Sequence, residues 1–400
     1  MPLKFVAAAI GCGLAYLLAS AEFDATAKNA VALFWVVTIA LRLLALPLEP
    51  ANEVWRYQAD GATQRAGRNP YKTSPVDAGG AIKMGDIARV PRHDEPAAYA
   101  PGAEILFRAV PTSESALLYK VIFATADLLA VALLLGLVDL RTAAWFAWNP
   151  LVAYSFAGAG HFDSVVLLAI VTMLGALMSF EESRKFKSRC ICAIGAAIAL
   201  GFAMSFRPVM IVLLLPTALA LRRYAAMLLL GILVPLVAGI AVGIPSFAQW
   251  NFFGDYAQVG RLNDLSWWIL EDTFWPNWHQ QHYRYDVVII VVATIVAFVF
   301  VRNWKRGMLW SLGAAIILAP VLHAWYVTWI LPLATWRRAF VWHLLSVTIF
   351  GYYLFFNQRG LFAMELPWHA DSWLRGMIIL PVVFALVLLG RQGLLRKESS

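Results

Sequence analysis

Long apolar runs separated by short polar stretches fill most of the chain, and this pattern is its main structural signal. An apolar run of about 17–20 residues is the length at which an α-helix crosses a bilayer. No sustained two-residue alternation indicates a transmembrane barrel, so the pattern predicts an all-α polytopic membrane protein. The apolar runs lie at about 4–20, 29–47, 116–138, 142–158, 163–180, 190–205, 207–220, 225–246, 286–301, 307–319, 321–335, 339–356 and 373–390.

Several of these runs are short, so we expect about 11–13 transmembrane helices. The run at 142–158 is a candidate re-entrant segment, and its status decides on which side the N-terminus lies. We expect a single integral membrane domain over residues 1–400. Residues 48–115 would form its first large outer loop and residues 248–285 a second, aromatic outer loop.

Short basic loops give the chain an expected orientation. Lysine and arginine cluster between the apolar runs, at 181–189, 222–223, 302–306, 337–338 and 391–397. By the positive-inside rule these loops are cytoplasmic. The segments expected on the outer side are 48–115, 159–162, 248–285 and 357–372. The protein is therefore expected in the cell (inner or plasma) membrane, with its polar motifs on the extracytoplasmic side.

Composition agrees with a membrane protein and argues against two other classes. The chain is 61% hydrophobic and only 14% charged, whereas soluble proteins carry about a quarter charged residues. The net charge of +8 resides mainly in loops, so we expect no nucleic-acid partner. No glycine-rich phosphate loop is present, which argues against nucleotide hydrolysis. Cys12, Cys190 and Cys192 lie in apolar runs and show neither metal-binding nor disulfide spacing.

The segment "NEVWRYQADGATQRAGRNPYKTSP" (52–75) is the most polar stretch near the start of the chain. Glu53 and Asp60 lie seven residues apart, about two helical turns, so they share a helix face and are candidate catalytic residues. Arg56 lies one turn after Glu53. It either pairs with that carboxylate or recognises phosphate, which suits a guanidinium fork.

Further polar or aromatic residues follow at the expected outer ends of the apolar runs. "GRNPY" reads as a turn that would present Tyr71 to a ligand. In "GHFD", a histidine and an aspartate begin a helix beside a glycine break, yet no third ligand indicates a metal site. A divalent metal is thus compatible but not favoured. The candidates of this group are Asn69, Tyr71, Tyr99, His161, Asp163, Arg207, His323, Trp325 and Tyr326.

Three basic side chains stand in otherwise apolar or interfacial surroundings. We expect Arg56, Arg207 and His323 to converge on one cavity at the outer leaflet, where they would bind an anionic headgroup. The aromatic loop at 267–285 carries four tryptophans. It is either an interfacial belt or a platform for a sugar or an isoprenoid chain.

In this order, the motifs resemble a family. "NEVWRYQADGATQRAGRNPY", "YAPG", "WNPLVAYSFAGAGHFD" and "HAWYVTWILPLA" are similar to motifs of bacterial polyprenol-phosphate-dependent mannosyltransferases, which have the C-type glycosyltransferase fold and are related to glycosyltransferase family 87. The usual acidic pair is Asn52-Glu53 here, the usual Trp-Asp-Gly is Ala59-Asp60-Gly61, and the usual Tyr-Pro-Pro is Tyr99-Ala100-Pro101.

The resemblance implies an activity and its partners. It implies transfer of a hexose, by family usage mannose, from a polyprenyl-phosphate sugar to a glycan or glycolipid acceptor, with inversion and without a cofactor. Glu53 would be the general base. Arg56, Arg207 and His323 would stabilise the departing phosphate. The resemblance also implies substrate-binding roles for Tyr57, Asn69, Tyr71, Tyr99, His161, Asp163, Trp325 and Tyr326.

A lipid or solute transporter, or a flippase, remains the alternative interpretation. Such a protein should place polar groups near the bilayer midplane, in two related halves. Here the polar motifs gather at one face and no two halves of the sequence match. The pattern therefore favours an enzyme over a transporter, and over a structural subunit.

Overall fold

The regular structure of the protein is helical. The computed structural model describes residues 2–78, 87, 89–243, 264–267, 274, 292, 295, 303–354 and 372–398. No β-strand occurs within these ranges, and the predicted all-α class is confirmed. Almost all of the predicted run at 286–301 and of the second outer loop at 248–285 lies outside the described residues.

Within the described residues of the first half of the chain there are nine α-helices, two of which are separated by a π-helical turn. They are α1 (Pro2–Glu22), α2 (Ala30–Ala45), α3 (Glu53–Arg65), α4 (Pro101–Ala109), α5 (Leu117–Leu134), α6 (Leu140–Ala147), α7 (Pro150–Ala153), the π-turn (Tyr154–Gly158), α8 (Asp163–Glu182) and α9 (Phe186–Phe206).

The second half alternates between α-helix and shorter 3-10 helix. Its described elements are a 3-10 helix (Pro208–Leu213), α10 (Leu214–Leu221), a 3-10 helix (Arg222–Met227), α11 (Leu228–Ala241), α12 (Trp304–Ile317), a 3-10 helix (Ala324–Ile330), α13 (Leu331–Arg337), α14 (Phe340–Thr348), a 3-10 helix (Ile349–Tyr353) and α15 (Ser372–Glu398).

Several helices have the length and composition of membrane spans, as expected for an integral membrane protein. Five long apolar runs occur within the described residues, at Leu3–Glu22, Leu117–Leu134, Asp163–Glu182, Phe186–Phe206 and Pro208–Ala241. Three shorter apolar helices accompany them, at Ala30–Ala45, Phe340–Tyr353 and Leu374–Leu388. The expected total of about 11–13 crossings stays a prediction.

The predicted run at 142–158 is not one continuous helix. α6 ends at Ala147, and the Asn149 side chain accepts hydrogen bonds from the backbone N–H groups of Leu151 and Val152 to start α7. Pro150, which lacks an N–H, occupies the first position of α7, where none is needed. Because most of this stretch is buried inside the protein, its broken backbone is shielded from lipid.

A buried ion pair joins α2 to α5. Arg42 Nε donates to Asp127 Oδ2 at 2.8 Å, and both side chains are at most 2% exposed. Arg42 also donates to the carbonyls of Thr38 and Ala147. The sequence analysis missed this pair because each residue lies singly within an apolar run.

The described parts of residues 48–115, the segment predicted as the first outer loop, form a folded, mostly buried layer. Its helix α3 packs against α4, and the contact is close at Gly61. A Cβ atom at Gly61 would lie 2.2 Å from the carbonyl oxygen of Phe107, so only glycine fits there. The ring of Tyr57 stacks on that of Phe107 at 4.4 Å. This packing fixes the axis of α3, whose first residue is Glu53.

Candidate active site

Glu53 lies in the first turn of α3 and is partly buried. Burial raises the pKa of its carboxyl group, while the nearby Arg207 guanidinium lowers it. The carboxylate also acts electrostatically on the phenol groups of Tyr57, Tyr99 and Tyr352. Glu53 therefore combines an apolar, aromatic environment with one nearby cation, as expected of a carboxylate that accepts a proton more readily than an exposed glutamate does.

Arg207 is the cation of this cluster. Its Nε and Nη2 atoms donate to Asp163 Oδ1 at 2.7 Å and Oδ2 at 2.9 Å. The guanidinium lies 4.5 Å from the ring centre of Phe162 and 5.2 Å from that of Tyr326. Pro208 forces the preceding residue into an extended conformation, which ends α9 and directs Arg207 out of the helix.

Two histidines sandwich a tryptophan beside this ion pair. The rings of His161 and Trp325 stack at 3.8 Å, and those of Trp325 and His323 at 4.4 Å. His323 Nδ1 lies 2.9 Å from the Tyr352 hydroxyl oxygen. His161 is brought into the stack by Gly160, whose φ of +80° favours glycine. The stack places the "GHFD" and "HAWY" segments against each other.

Arg207 and His323 are brought together as predicted. The guanidinium of Arg207 lies 5.2 Å from the ring centre of Tyr326. The ring of His323 contacts the same tyrosine edge-on at 5.1 Å. Together with Glu53, these residues form what we call the central cluster, namely Glu53, His161, Asp163, Arg207, His323, Trp325 and Tyr326.

Arg56 belongs to a different group. Its Nε lies 2.9 Å from both carboxylate oxygens of Asp60. Its Nη atoms donate to the carbonyls of Pro91, Arg92 and Glu95. The possible pairing of Arg56 with Glu53 is thus wrong, because the carboxylate four residues ahead on the same helix face takes the guanidinium.

Asp60 on α3 and Glu104 on α4 form a buried pair of carboxyl groups. Asp60 is 1% exposed and Glu104 is fully buried. The two carboxyl groups act on each other's pKa. Gln64 Nε2 donates to Glu104 Oε2 at 2.7 Å. We call Arg56, Asp60, Gln64 and Glu104 the acid-pair cluster. The sequence analysis did not select Glu104, since a single glutamate in a short polar segment carries no distinctive pattern.

The remaining candidates in the first outer segment form a wall beside the two clusters. Asn69 Oδ1 accepts from the backbone N–H of Tyr71 at 2.9 Å, which shapes the turn. The Tyr71 hydroxyl donates to the carbonyl of Tyr99 at 2.7 Å. Tyr99 in turn meets the ring of Tyr57 edge-on at 5.3 Å. The Tyr99 phenol acts electrostatically with both Glu53 and Asp60 and so lies between the two clusters.

Trp329 is a site residue that the sequence analysis missed. Its Nε1 donates to Asp163 Oδ1 at 2.8 Å, and its ring stacks on Tyr326 at 4.2 Å. It follows Trp325 by one helical turn in "HAWYVTW", which was the available signal. An aromatic residue within an apolar run is more often a core residue, so spacing alone did not single it out.

An apolar cavity adjoins the central cluster. It lies between the 3-10 helix that follows Arg207, helix α12, and the segment leading to His323. Tyr326 and Trp329 close the end of the cavity that faces Arg207. The other lining residues are aliphatic, namely Val209, Leu312, Ala315, Ile316, Ala319, Val321 and Leu322.

Two further expectations concern metal and the aromatic loop. The described residues contain no group of three or more His, Cys, Asp or Glu side chains that could hold a metal ion. The expectation that no metal takes part stays a prediction. Of the four loop tryptophans, Trp267 is described and donates to the carbonyl of Leu318 at 2.6 Å. Trp268, Trp275 and Trp278 lie outside the described residues.

Comparison with known proteins identifies the family. The model of a family described as alpha-(1->6)-mannopyranosyltransferase, N-terminal domain, matches residues 4–223. No curated protein and no solved structure matches the chain. The matched region includes Glu53, Asp163 and Arg207, whereas His323 and Trp325 follow it. Because the match covers more than half of the chain, this helical membrane protein belongs to the alpha-(1->6)-mannopyranosyltransferase family.

Proposed function

We propose that this protein transfers mannose from a polyprenyl-phosphate mannose donor to a hydroxyl group of a glycan or glycolipid acceptor, at the extracytoplasmic face of the cell membrane. The observation that carries the proposal is the juxtaposition of a partly buried carboxylate, Glu53, with the Arg207–Asp163 pair and an apolar cavity. The family name adds the linkage, so the acceptor hydroxyl would be the 6-hydroxyl of a mannose.

In this mechanism Glu53 acts as the general base. It takes the proton of the acceptor hydroxyl as the acceptor oxygen forms a bond to the anomeric carbon. The bond between that carbon and the phosphate oxygen breaks, and the electron pair leaves with the phosphate. Attack and departure on opposite faces invert the anomeric centre. An α-linked product therefore requires a β-linked donor.

Arg207 is suited to receive the phosphate. Asp163 occupies its Nε and Nη2 atoms, and Nη1 makes no hydrogen bond within the described residues. The Arg207 side chain is 13% exposed. Asp163 holds the guanidinium in one orientation, so that a fixed donor is directed at the charge that develops on the leaving group. Trp329 Nε1 donates to the same Asp163 oxygen, Oδ1, as Arg207 Nε does.

The aliphatic lining of the small cavity beside Arg207 would contact the hydrocarbon end of the donor. Tyr326 and Trp329 contact both the Arg207 guanidinium and the cavity. A polyprenyl phosphate has its anionic group bonded directly to its hydrocarbon chain. Adjacent cationic and aliphatic surfaces therefore match the donor better than they match a water-soluble sugar nucleotide.

The proposal is tested with purified protein in detergent or nanodiscs. Radiolabelled polyprenyl-phosphate mannose and a short mannose oligomer are the substrates, and GDP-mannose replaces the lipid donor in a parallel reaction. We expect label transfer from the lipid donor only, into a product with an α-(1→6) linkage. Arg207→Lys keeps the charge but loses the two-atom contact with Asp163, and should lower turnover. Transfer from GDP-mannose, or none from any polyprenyl donor, would contradict the proposal.

A further inference from the structure

The acid-pair cluster brings two carboxyl groups into contact away from bulk solvent. Asp60 on α3 is 1% exposed, and Glu104 on α4 is fully buried. The charge of each acts on the pKa of the other. Two ionised carboxylates buried together repel each other, and a proton on one of them removes that repulsion.

The surrounding contacts indicate which carboxyl group is protonated. Both oxygens of Asp60 lie 2.9 Å from Arg56 Nε, so Asp60 faces a cation. Arg56 also acts on Glu104 through its charge, but it makes no hydrogen bond to that carboxyl group. Glu104 Oε2 accepts from the neutral Gln64 amide, and its Oε1 has no hydrogen-bond donor within the described residues. A proton on Glu104 Oε1 that is donated to Asp60 would satisfy the hydrogen bonding of both carboxyl groups. Burial raises the pKa of Glu104, and the charge of Asp60 raises it further.

The other groups that face Glu104 do not compete for this role. Tyr71 and the Tyr119 phenol on α5 act on it electrostatically and are ordinarily neutral. α9 reaches α4 at Ser205, which packs against Gly102. α11, which also packs against α4, contains no ionisable residue.

We propose that Glu104 is a positioning residue that carries a proton at neutral pH and, by donating it to Asp60, locks α3 to α4. The same Asp60 carboxylate holds Arg56, which in turn binds the carbonyls of residues 91–95. α3 begins at Glu53, so the lock fixes the direction from which Glu53 enters the central cluster. Glu104 acts through Asp60 and touches no substrate.

The protonated acid can be observed without any assumption about the reaction. Infrared spectra of the purified protein should show the carbonyl band of a carboxylic acid at neutral pH. This band should be lost in Glu104→Gln and retained in Asp77→Asn, a matched change of an exposed acid in the same segment. Absence of the band from the wild type, or its persistence in Glu104→Gln, would overturn the proposal.

Thermal unfolding provides a second test, in which the direction of the change in stability with pH is predicted. The folded-state pKa of Glu104 lies above its ordinary value of 4.5, so the folded state binds the extra proton. Stability is lost as pH rises from the ordinary value towards the raised one, by up to a tenfold fall in the folding constant per pH unit. Glu104→Gln keeps donor and acceptor without this titration. Its melting temperature relative to wild type should therefore rise as the pH increases above the ordinary value of 4.5. A constant difference would contradict a proton held by Glu104.

Turnover measurements test the positioning role of Glu104, and this test rests on the proposed mannosyl transfer. Glu104→Ala should lower kcat on the order of 10–100-fold through displacement of Glu53, with a much smaller change in KM for the donor. Glu104→Gln should restore most of that loss, and its turnover relative to wild type should rise with pH. Equal activity of the alanine and glutamine variants at every pH would reject the positioning role while leaving the proposed function intact.

Discussion

Glu53 is subject to two opposing influences, and their balance determines its chemistry. Burial among tyrosines favours the neutral acid, whereas Arg207 favours the carboxylate. Burial gives this carboxyl group more affinity for a proton than an exposed glutamate has, and Arg207 limits that increase. Asp60 is the other acidic candidate of the same helix, but its carboxylate interacts with Arg56 and Glu104.

Glu53→Gln removes the basicity and preserves the shape of the side chain. We expect turnover to fall by roughly 10²–10⁴-fold, the usual scale of general-base catalysis, with donor binding retained. The measurement is single-turnover mannosyl transfer alongside binding of the lipid donor. In the wild type, the rate should fall as pH drops through the raised pKa of Glu53.

Asp60→Asn is the control for that experiment. It should reduce turnover less than Glu53→Gln and should also lower the melting temperature, because Arg56 loses its carboxylate partner inside the protein. Normal turnover of Glu53→Gln together with an inactive Asp60→Asn would move the general base from Glu53 to Asp60.

Sequence spacing identified most residues of the site but not how they pair. On a helix, positions three and four residues apart are both neighbours, so Arg56 had two possible carboxylates within reach. The choice of Asp60 depends on Glu104 and on the carbonyls of residues 91–95, which come from other parts of the chain. Spacing along one helix contains no information about these partners.

Three residues of the central cluster, His161, Arg207 and Trp325, lie at helix breaks rather than within regular α-helices. His161 follows a π-turn, Arg207 follows the end of α9, and Trp325 lies in a 3-10 helix. Apolar periodicity predicted that helices exist in these regions. It could not predict the breaks, since they depend on capping by Asn149, on the positive φ of Gly160 and on Pro208.

The contact between α3 and α4 can be tested at its closest point. Gly61→Ala would place a Cβ atom 2.2 Å from the carbonyl oxygen of Phe107, so the two helices must separate. We expect a loss of stability of about 1–3 kcal/mol, the usual cost of overpacking, together with reduced turnover because Glu53 begins α3. Thermal unfolding and the transfer assay measure the two effects.

Gly11→Ala is the matched control, since a Cβ atom at this helical position in α1 meets nothing within 4 Å. It should leave stability unchanged or raise it slightly, because alanine favours helix over glycine. A Gly61→Ala variant as stable and active as Gly11→Ala would show that the separation of α3 from α4 does not matter to the fold or to Glu53.

At the scale of the whole molecule, hydropathy predicted the fold class. Contacts between residues that are far apart in the sequence complete the site. Asp163 meets Trp329 across 166 residues of sequence, and His161 meets Trp325 across a similar separation. Such contacts follow from the packing of the whole bundle. The sequence indicated that the motifs lie towards one membrane face, but only the folded arrangement separates a central cluster from an acid-pair cluster.

The orientation of the molecule is open to direct measurement. The basic loops predict that residues 48–115 face outside. In a chain without its native cysteines, Asp77→Cys is exposed and should react with an impermeant maleimide on intact cells. Lys187→Cys, exposed in a basic loop, should react only after permeabilisation. The reverse pattern would place the central cluster on the cytoplasmic side and contradict the proposed donor geometry.

The ion pair between Arg42 and Asp127 has a consequence for biosynthesis. Its members are 85 residues apart, so α2 emerges from the ribosome well before α5. At about 5–20 residues per second, the delay is on the order of 4–17 s. An unpaired arginine at the centre of a bilayer costs at least about 2.5–3.5 kcal/mol, which favours retention of α2 at the insertion channel until its partner arrives. Nascent chains truncated before Asp127 should therefore crosslink to that channel through α2, and Arg42→Leu should release them early. Equal crosslinking of both chains would show that α2 enters the bilayer alone.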